Sequence, residues 1–315
     1  MLKILVSSDH HANWDCLDYW FKVAKEEGVS FIIPGDVVGD YNFNELTLKK
    51  GIQIGTNLSE DQKNTARKLY EEIIEFHAKE LAKRIDNYKV MTYFLLGNHE
   101  PYYFGDLVNK HLTNKELFVD MNKSEGLLED SGFKFVGISN TFQLMPFLFE
   151  IYSESEINKL FFHQRSGLKT ISGLSAEKVG DAFIGEEDFE WNRTLKGVDQ
   201  EIDIFFTHGQ IGRGAWRADK KADELPTLLC AAKCSLKAKL TVDGHLHTSY
   251  IMKNDLGKPN FRAVGNKAIL FEKDKSDDSL SFEELESELE YKSRGGISLS
   301  DLYDYSSPVD KLIYS

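Results

Sequence analysis

Six of the nine histidines in this chain stand in short polar turns that close apolar runs: Asp9-His10-His11, Gly97-Asn98-His99-Glu100, Thr207-His208-Gly209 and Asp243-Gly244-His245-Leu246-His247. A fifth turn of the same kind carries Gly35-Asp36. Any one of these blocks alone reads as an ordinary strand-ending turn. Histidines scattered at random through a core would not gather in this way. Neutral imidazole suits borderline transition metals, and carboxylate or carbonyl oxygen suits harder ions such as Mn²⁺. A mixed set of His, Asp and one Asn can hold two divalent ions, with one carboxylate bridging them.

The elements that must position these turns follow from apolar patterning. Val90–Leu96 reads as a buried strand, and Gly97 lets the backbone turn sharply after it. Ligands in open α/β sheets bind beyond the carboxyl ends of strands. A strand at 2–8 is followed by a helix with Asn13 as N-cap and an apolar stripe of Leu17, Trp20, Phe21 and Ala24, ended by Gly28. With a strand at 29–34 this makes a βαβ unit, whose two strands should be parallel. Residues 41–58 read as an irregular loop. Ser59 and Gln62 form a capping-box pattern that opens a long helix reaching Ile85, with His77 inside it as a structural or surface residue. Residues 106–132 read as mainly helical, and 133–138, 201–206 and 238–242 as strands. Short strands at 249–253, 260–264 and 267–272 make an antiparallel finish. The aromatic-rich segment 141–200 fits the alternation poorly and reads as an inserted lid or partner-binding segment, with core padding the alternative. These elements define a domain over 1–272. Residues 273–315 read as an acidic tail with an amphipathic helix at 280–291.

Composition excludes several classes. Hydrophobic content of 41% with 28% charged residues over 315 positions supports a large buried core, in one elaborated domain or two. No apolar run reaches membrane-spanning length, and the N-terminal Met1–Ser7 reads as a strand, not as a signal peptide. A net charge of −13 with no sustained Lys/Arg run disfavours nucleic acid as a partner, unless another chain contributes the cations. Three cysteines, Cys16, Cys230 and Cys234, are too few for a disulfide framework and point to a reducing, cytoplasmic compartment. Cys230 and Cys234 share one helix face and read as core thiols. An oligomer is left open.

The series Asp9-His10-His11, Gly35-Asp36, Gly97-Asn98-His99, His208 and Gly244-His245-Leu246-His247, in this order, resembles the calcineurin-like metallophosphoesterase superfamily. The resemblance implies an α/β fold, a four-layer αββα sandwich of two mixed β-sheets flanked by helices. It implies one metal held by Asp9, His11, Asp36 and His247, and a second held by Asp36, Asn98, His208 and His245. His99, with Asn98, would contact the substrate phosphate, and His99 would protonate the leaving group after in-line attack of a metal-bridging hydroxide. Mn²⁺ leads among the metals, with Fe, Zn, Ni or Co as alternatives. Two such ions roughly 3.5–4 Å apart clamp a phosphoryl group and acidify a water. Two aspartates against two divalent ions leave a local charge of about +2, which can attract phosphate within an acidic protein.

Two positions depart from the common pattern. Gly39 stands where many members carry Asp, and Gly35-Asp-Val-Val-Gly39 resembles a prokaryotic-type branch of phosphodiesterase-like members instead. Glu100 stands where Asp commonly follows Gly-Asn-His, and is expected to accept a hydrogen bond from His99 as part of the catalytic pair. Arg213, with Trp216, is a candidate for phosphate binding at the pocket mouth, and Arg217 follows closely. The resulting expectation is a metal-dependent phosphoric ester hydrolase acting on a phosphodiester, with a phosphomonoesterase or nuclease of the same superfamily as alternatives. The rival from another class is a non-catalytic scaffold on this fold. A scaffold is free to lose ligands, whereas all seven matching positions and His99 are present here.

Overall fold

The computed structural model describes residues 1–39, 43–124, 127–139, 147–160, 201–208, 238–245, 247, 249–253 and 258–289. Chain order gives β1 (Leu2–Val6), α1 (Trp14–Glu27), β2 (Ser30–Pro34), α2 (Phe43–Lys49), α3 (Glu60–Tyr88), β3 (Thr92–Leu95), α4 (Phe104–His111), β4 (Phe118–Asp120), β5 (Leu128–Asp130) and β6 (Phe133–Ile138). There follow α5 (Leu148–Ile151), α6 (Glu154–Leu160), β7 (Ile202–Thr207), β8 (Ala238–Val242), β9 (Tyr250–Lys253), β10 (Pro259–Arg262), β11 (Lys267–Lys273) and β12 (Leu280–Glu286).

The strands form two mixed six-stranded sheets, ordered β12-β11-β1-β2-β3-β4 and β5-β6-β7-β8-β10-β9, with the described helices flanking the first. Strands β1 to β4 run parallel, as do β6, β7 and β8, so their carboxyl ends gather at one edge of the sandwich. Side-chain alternation divides the core in two. Ile4, Val6, Ile32, Tyr93 and Leu95 meet Phe133, Phe135, Ile204, Phe206 and Val242 between the sheets. Leu5, Phe31, Ile33 and Phe94 point the other way, onto the helices. Burial on both faces explains why β1, β2 and β3 read as continuous apolar runs. All the described helices contribute to this second core, so the described residues show three of the four expected layers.

The helix boundaries follow their caps. The Asn13 side chain accepts the Cys16 N–H, and Gly28, at φ 66°, closes α1 in the left-handed conformation. Both bonds of the Ser59–Gln62 capping box open α3. Elsewhere the structure corrects the pattern reading. Residues 43–49 are the helix α2, where Phe43 and Leu46 reach the core. The stretch 106–132 is not mainly helical: α4 ends at His111 and β4 and β5 follow, β4 pairing in parallel with β3. The strands after 249 do not make one antiparallel finish. Strand β10 joins β8 in parallel, while β11 crosses to the first sheet beside β1. The segment expected to form a helix at 280–291 contains the strand β12, antiparallel to β11. Leu285 and Leu289 share a helical spacing, but Leu280 and Phe282 alternate, and pairing with β11 decides the outcome. In 141–200, α5 and α6 send Leu148, Ile151 and Ile157 into the helix-side core, and 161–200 lie outside the described residues. No described helix is long and apolar enough to cross a membrane.

At the edge opposite the turns, a charged clasp joins the sheets. Asp203 of β7 receives Lys273 of β11 at 2.8 Å and Lys239 of β8 at 2.9 Å, together with the Lys134 N–H at 2.9 Å. Lys273 also reaches Asp278 at 3.1 Å. Burial works against a charged Asp203, but these donors outweigh it and hold its carboxyl below the usual range.

Candidate metal centre

The turns after β1, β2 and β3 are laced to one another. Asp9, His11 and Ala12 donate their N–H groups to the carbonyls of Gly35, Asp36 and Val37 at 2.8–3.1 Å. Four residues of the centre adopt left-handed backbone: Asp9 (φ 53°), His11 (φ 45°), Asp36 (φ 52°) and His245 (φ 68°). That conformation costs a non-glycine residue roughly 1–2 kcal/mol, and it persists only where the surroundings over-determine it. The motif glycines are explained by close approach. A Cβ on Gly97 would collide with the Asp36 carboxylate, and one on Gly35, at φ 94°, would collide with the His208 ring.

The ligand-type atoms converge in groups whose members all lie within 4.8 Å of one another: Asp9, His11 and His247; Asp36, His208 and His245; and His11, Asp36 and His99. Asp36 Oδ2 stands 3.1 Å from His208 Nε2, 3.7 Å from His11 Nε2 and 3.9 Å from His99 Nε2. His11 Nε2 and His247 Nε2 are 2.8 Å apart. Asn98 Oδ1 completes the second group, 3.1 Å from His208 Nε2 and 3.0 Å from His245 Nδ1. Asp36 thus faces both sets, and the first sheet meets the second there.

The donor chemistry fits divalent ions. His208 Nδ1 lies 2.8 Å from the Pro34 carbonyl, which can only accept, so that nitrogen carries the proton. Its Nε2 lone pair then faces the oxygens of Asp36 and Asn98, and His245 Nδ1 faces the same Asn98 oxygen. Ligand-type atoms aimed at one point in this way suit a shared cation. With protons alone, the Asp36 carboxylate outweighs the burial that works against a charged His208, and raises the imidazole to about 10. Burial would push the Asp36 carboxyl up, but His208, His99 and His11 hold it well below the usual range. Burial and then the neighbouring His208 depress His245 to about 4, while burial, reinforced by Asp36, lifts Asp9 to about 6. A proton on His208 satisfies part of this arrangement, and divalent ions satisfy all of it.

Eight expected residues therefore meet at one place: Asp9, His11, Asp36, Asn98, His99, His208, His245 and His247. His10 points away, edge-on to Phe31 at 6.3 Å, and burial lowers it to about 3, so it is a neutral core histidine. Glu100 does not take up the expected contact with His99. Its carboxylate accepts the N–H groups of Gly97 at 2.8 Å, Asp36 at 3.2 Å and Val38 at 2.7 Å. Arg213, Trp216, Arg217, Cys230 and Cys234 lie outside the described residues.

Two residues support the centre from behind, of which His77 takes the structural one of its two expected roles and Asp243 had no assigned role. His77 is fully buried under the β2 turn, its Nδ1 toward the Ile73 carbonyl at 2.7 Å and its Nε2 receiving the Gly39 N–H at 3.5 Å. The four-residue spacing Ile73, His77, Leu81 places it on the buried stripe and was the available signal. Behind the last turn, the buried Asp243 carboxylate accepts from Arg262 Nε at 2.6 Å, Tyr250 Oη at 2.6 Å and Asn260 Nδ2 at 3.0 Å. No local signal tied those residues together.

The sequence profile of the calcineurin-like phosphoesterases matches residues 2–249. The chain belongs to the calcineurin-like phosphoesterase family. With the His/Asp centre in place, this makes it a metal-dependent phosphoester hydrolase whose substrate is a phosphate ester. Among solved structures it is similar to the TT1561 protein of Thermus thermophilus, at 10% identity over 90% of this chain and 98% of that one, with a TM-score of 0.46. It is also similar to a dimetal phosphatase from Danio rerio, at 9% identity over 85% of this chain and 95% of that one, with a TM-score of 0.39. No curated protein matches the chain significantly. The structural likenesses are distant, and family membership rests on the sequence match.

Proposed function

We propose that this calcineurin-like phosphoesterase is a cytoplasmic phosphodiesterase with a dinuclear site, Mn²⁺ being the working metal. The observation that carries the reading is that Asp36 Oδ2 stands between two donor sets, 3.7 Å from His11 of the Asp9–His11–His247 group and 3.1 Å from His208 of the His208–His245 group. Asp9, His11, Asp36 and His247 would hold one ion, and Asp36, Asn98, His208 and His245 the other. Ions bound there supply positive charge for a phosphoryl group and acidify a water toward neutral pH. The chain's own residues do the rest. His99 stands beside both sets, its ring 4.8 Å from that of His11, and its backbone N–H is held by Asp36 Oδ1 at 3.2 Å. An imidazolium so placed delivers its proton to the departing alkoxide oxygen. Buried walls, with Asp36 and His208 about 1% exposed or less, exclude bulk water from the shared carboxylate. Arg213 is the proposed further phosphate contact. The diester preference is supported by the branch likeness of Gly35-Asp-Val-Val-Gly39 and by the retained His99.

The test uses metal-stripped protein with bis-p-nitrophenyl phosphate and p-nitrophenyl phosphate, with Mn²⁺ added back. Turnover of the diester that requires metal is expected. Turnover of the monoester alone would replace the diester reading with a phosphomonoesterase. No turnover and no bound metal would move the chain to the scaffold class.

A further inference from the structure

We infer that Glu100 is a positioning residue that sets the spacing of the two metal positions by tying the β2 turn to the β3 turn. The inference rests on the dinuclear reading above and concerns how that site is built. The β1 and β2 turns need no such tie, because their backbones pair directly. The β2 and β3 turns approach so closely, Gly97 lying against the Asp36 carboxylate, that a side chain makes the connection instead.

The bonds are reciprocal. Glu100 Oε2 accepts the N–H groups of Gly97 and Asp36, and Oε1 accepts that of Val38. In return, Asp36 Oδ1 accepts the N–H of His99. One carboxylate therefore fixes the backbone on both sides of the shared ligand Asp36 and just ahead of Asn98 and His99. With Oδ1 engaged, Asp36 is oriented so that Oδ2 faces His11 on one side and His208 on the other. Glu100 is fully buried, so water cannot take over these bonds readily. Three N–H donors converge on the two carboxyl oxygens, so the side chain acts here as an acceptor. An amide at this position would turn its own N–H donors against one of the turns.

The experiment titrates Mn²⁺ into metal-stripped full-length wild type, Glu100→Gln, Glu100→Asp and His99→Ala. Stoichiometry is read by calorimetry, and coupling between the ions by electron paramagnetic resonance. Wild type and His99→Ala are expected to bind two spin-coupled ions. Glu100→Gln is expected to keep the first ion and bind the second roughly 10–100-fold more weakly, with an altered coupling signal. Glu100→Asp, which retains the charge, should show the same split in milder form, and it carries the test if the Gln variant does not fold. Two ions with unaltered coupling in the Glu100 variants, and turnover lost mainly for poor leaving groups as in His99→Ala, would overturn the inference and make Glu100 a partner of His99. Absence of bound ions in the wild type would instead remove the dinuclear reading itself.

Discussion

The two ends of β7 carry buried charge of opposite design. At its start, Asp203 meets Lys273 and Lys239, with Asp278 completing two acids against two bases. At its end, His208 enters a group whose carboxylates meet histidines, backbone N–H groups and, at Asp9, the Ser8 hydroxyl. The first end is neutralised by residues of the chain, and its carboxylate sits below the ordinary range. The second gathers ligand-type atoms suited to divalent ions. Its groups are driven apart, His208 up to about 10 and His245 down to about 4, and it gathers four left-handed Asp and His residues where the first end has Asp278. Burial of charge does not by itself distinguish a site from a strut. What the buried carboxylate faces, lysines at one end and a convergence of metal-ligand atoms at the other, does.

The largest effect should come from removing the shared acceptor. Asp36→Asn is expected to lower turnover of the diester by roughly ten-thousandfold and to strip metal from both positions, as measured by kinetics and metal analysis after dialysis. His99→Ala should retain the metals while losing roughly a thousandfold in kcat, less with a good leaving group, because only the proton donor is gone. A diester with a poor alkoxide leaving group run beside bis-p-nitrophenyl phosphate reads that difference. At the other end, Lys273→Met removes one partner of a buried pair and should cost about 3 kcal/mol in urea unfolding, with kcat of the folded enzyme unchanged. If kcat fell in step with stability, the contrast between strut and site would fail.

The smallest effect concerns pH. Burial depresses the folded-state value of His77 to about 3, below the ordinary 6.5. The unfolded chain therefore binds the extra proton between those values, and stability falls as pH drops from about 6.5 toward about 3. Metal-free His77→Phe should show a shallower loss over that window in urea unfolding at a series of pH values. Equal slopes would mean that His77 is not held neutral.

Much of the site was legible because its signals are local. A glycine followed by Asp or Asn-His at the end of an apolar run announces itself, as do Asn13 and the Ser59–Gln62 box. Strands β4 and β12 were not legible, because what makes them strands is a partner elsewhere in the chain: β3 for β4, β11 for β12. The clasp at Asp203 joins residues 70 positions apart, a relation that no window of sequence contains. Glu100 stood in plain view within its motif. Two of its three partners did not, since they are backbone groups of a turn more than sixty residues earlier.

The shared carboxylate also has a consequence for folding. Asp36 belongs to the first sheet and His208 to the second, so the donor sets exist only while the two sheets are packed together. Metal affinity and sheet association are then one linked equilibrium. Each ion present at a hundred times its dissociation constant would add about 2.7 kcal/mol to the stability of the packed form. Chelation should lower the melting temperature of the whole domain, not loosen one loop. A cell short of metal would hold less of this protein through faster turnover of the opened chain, in addition to holding less of it active.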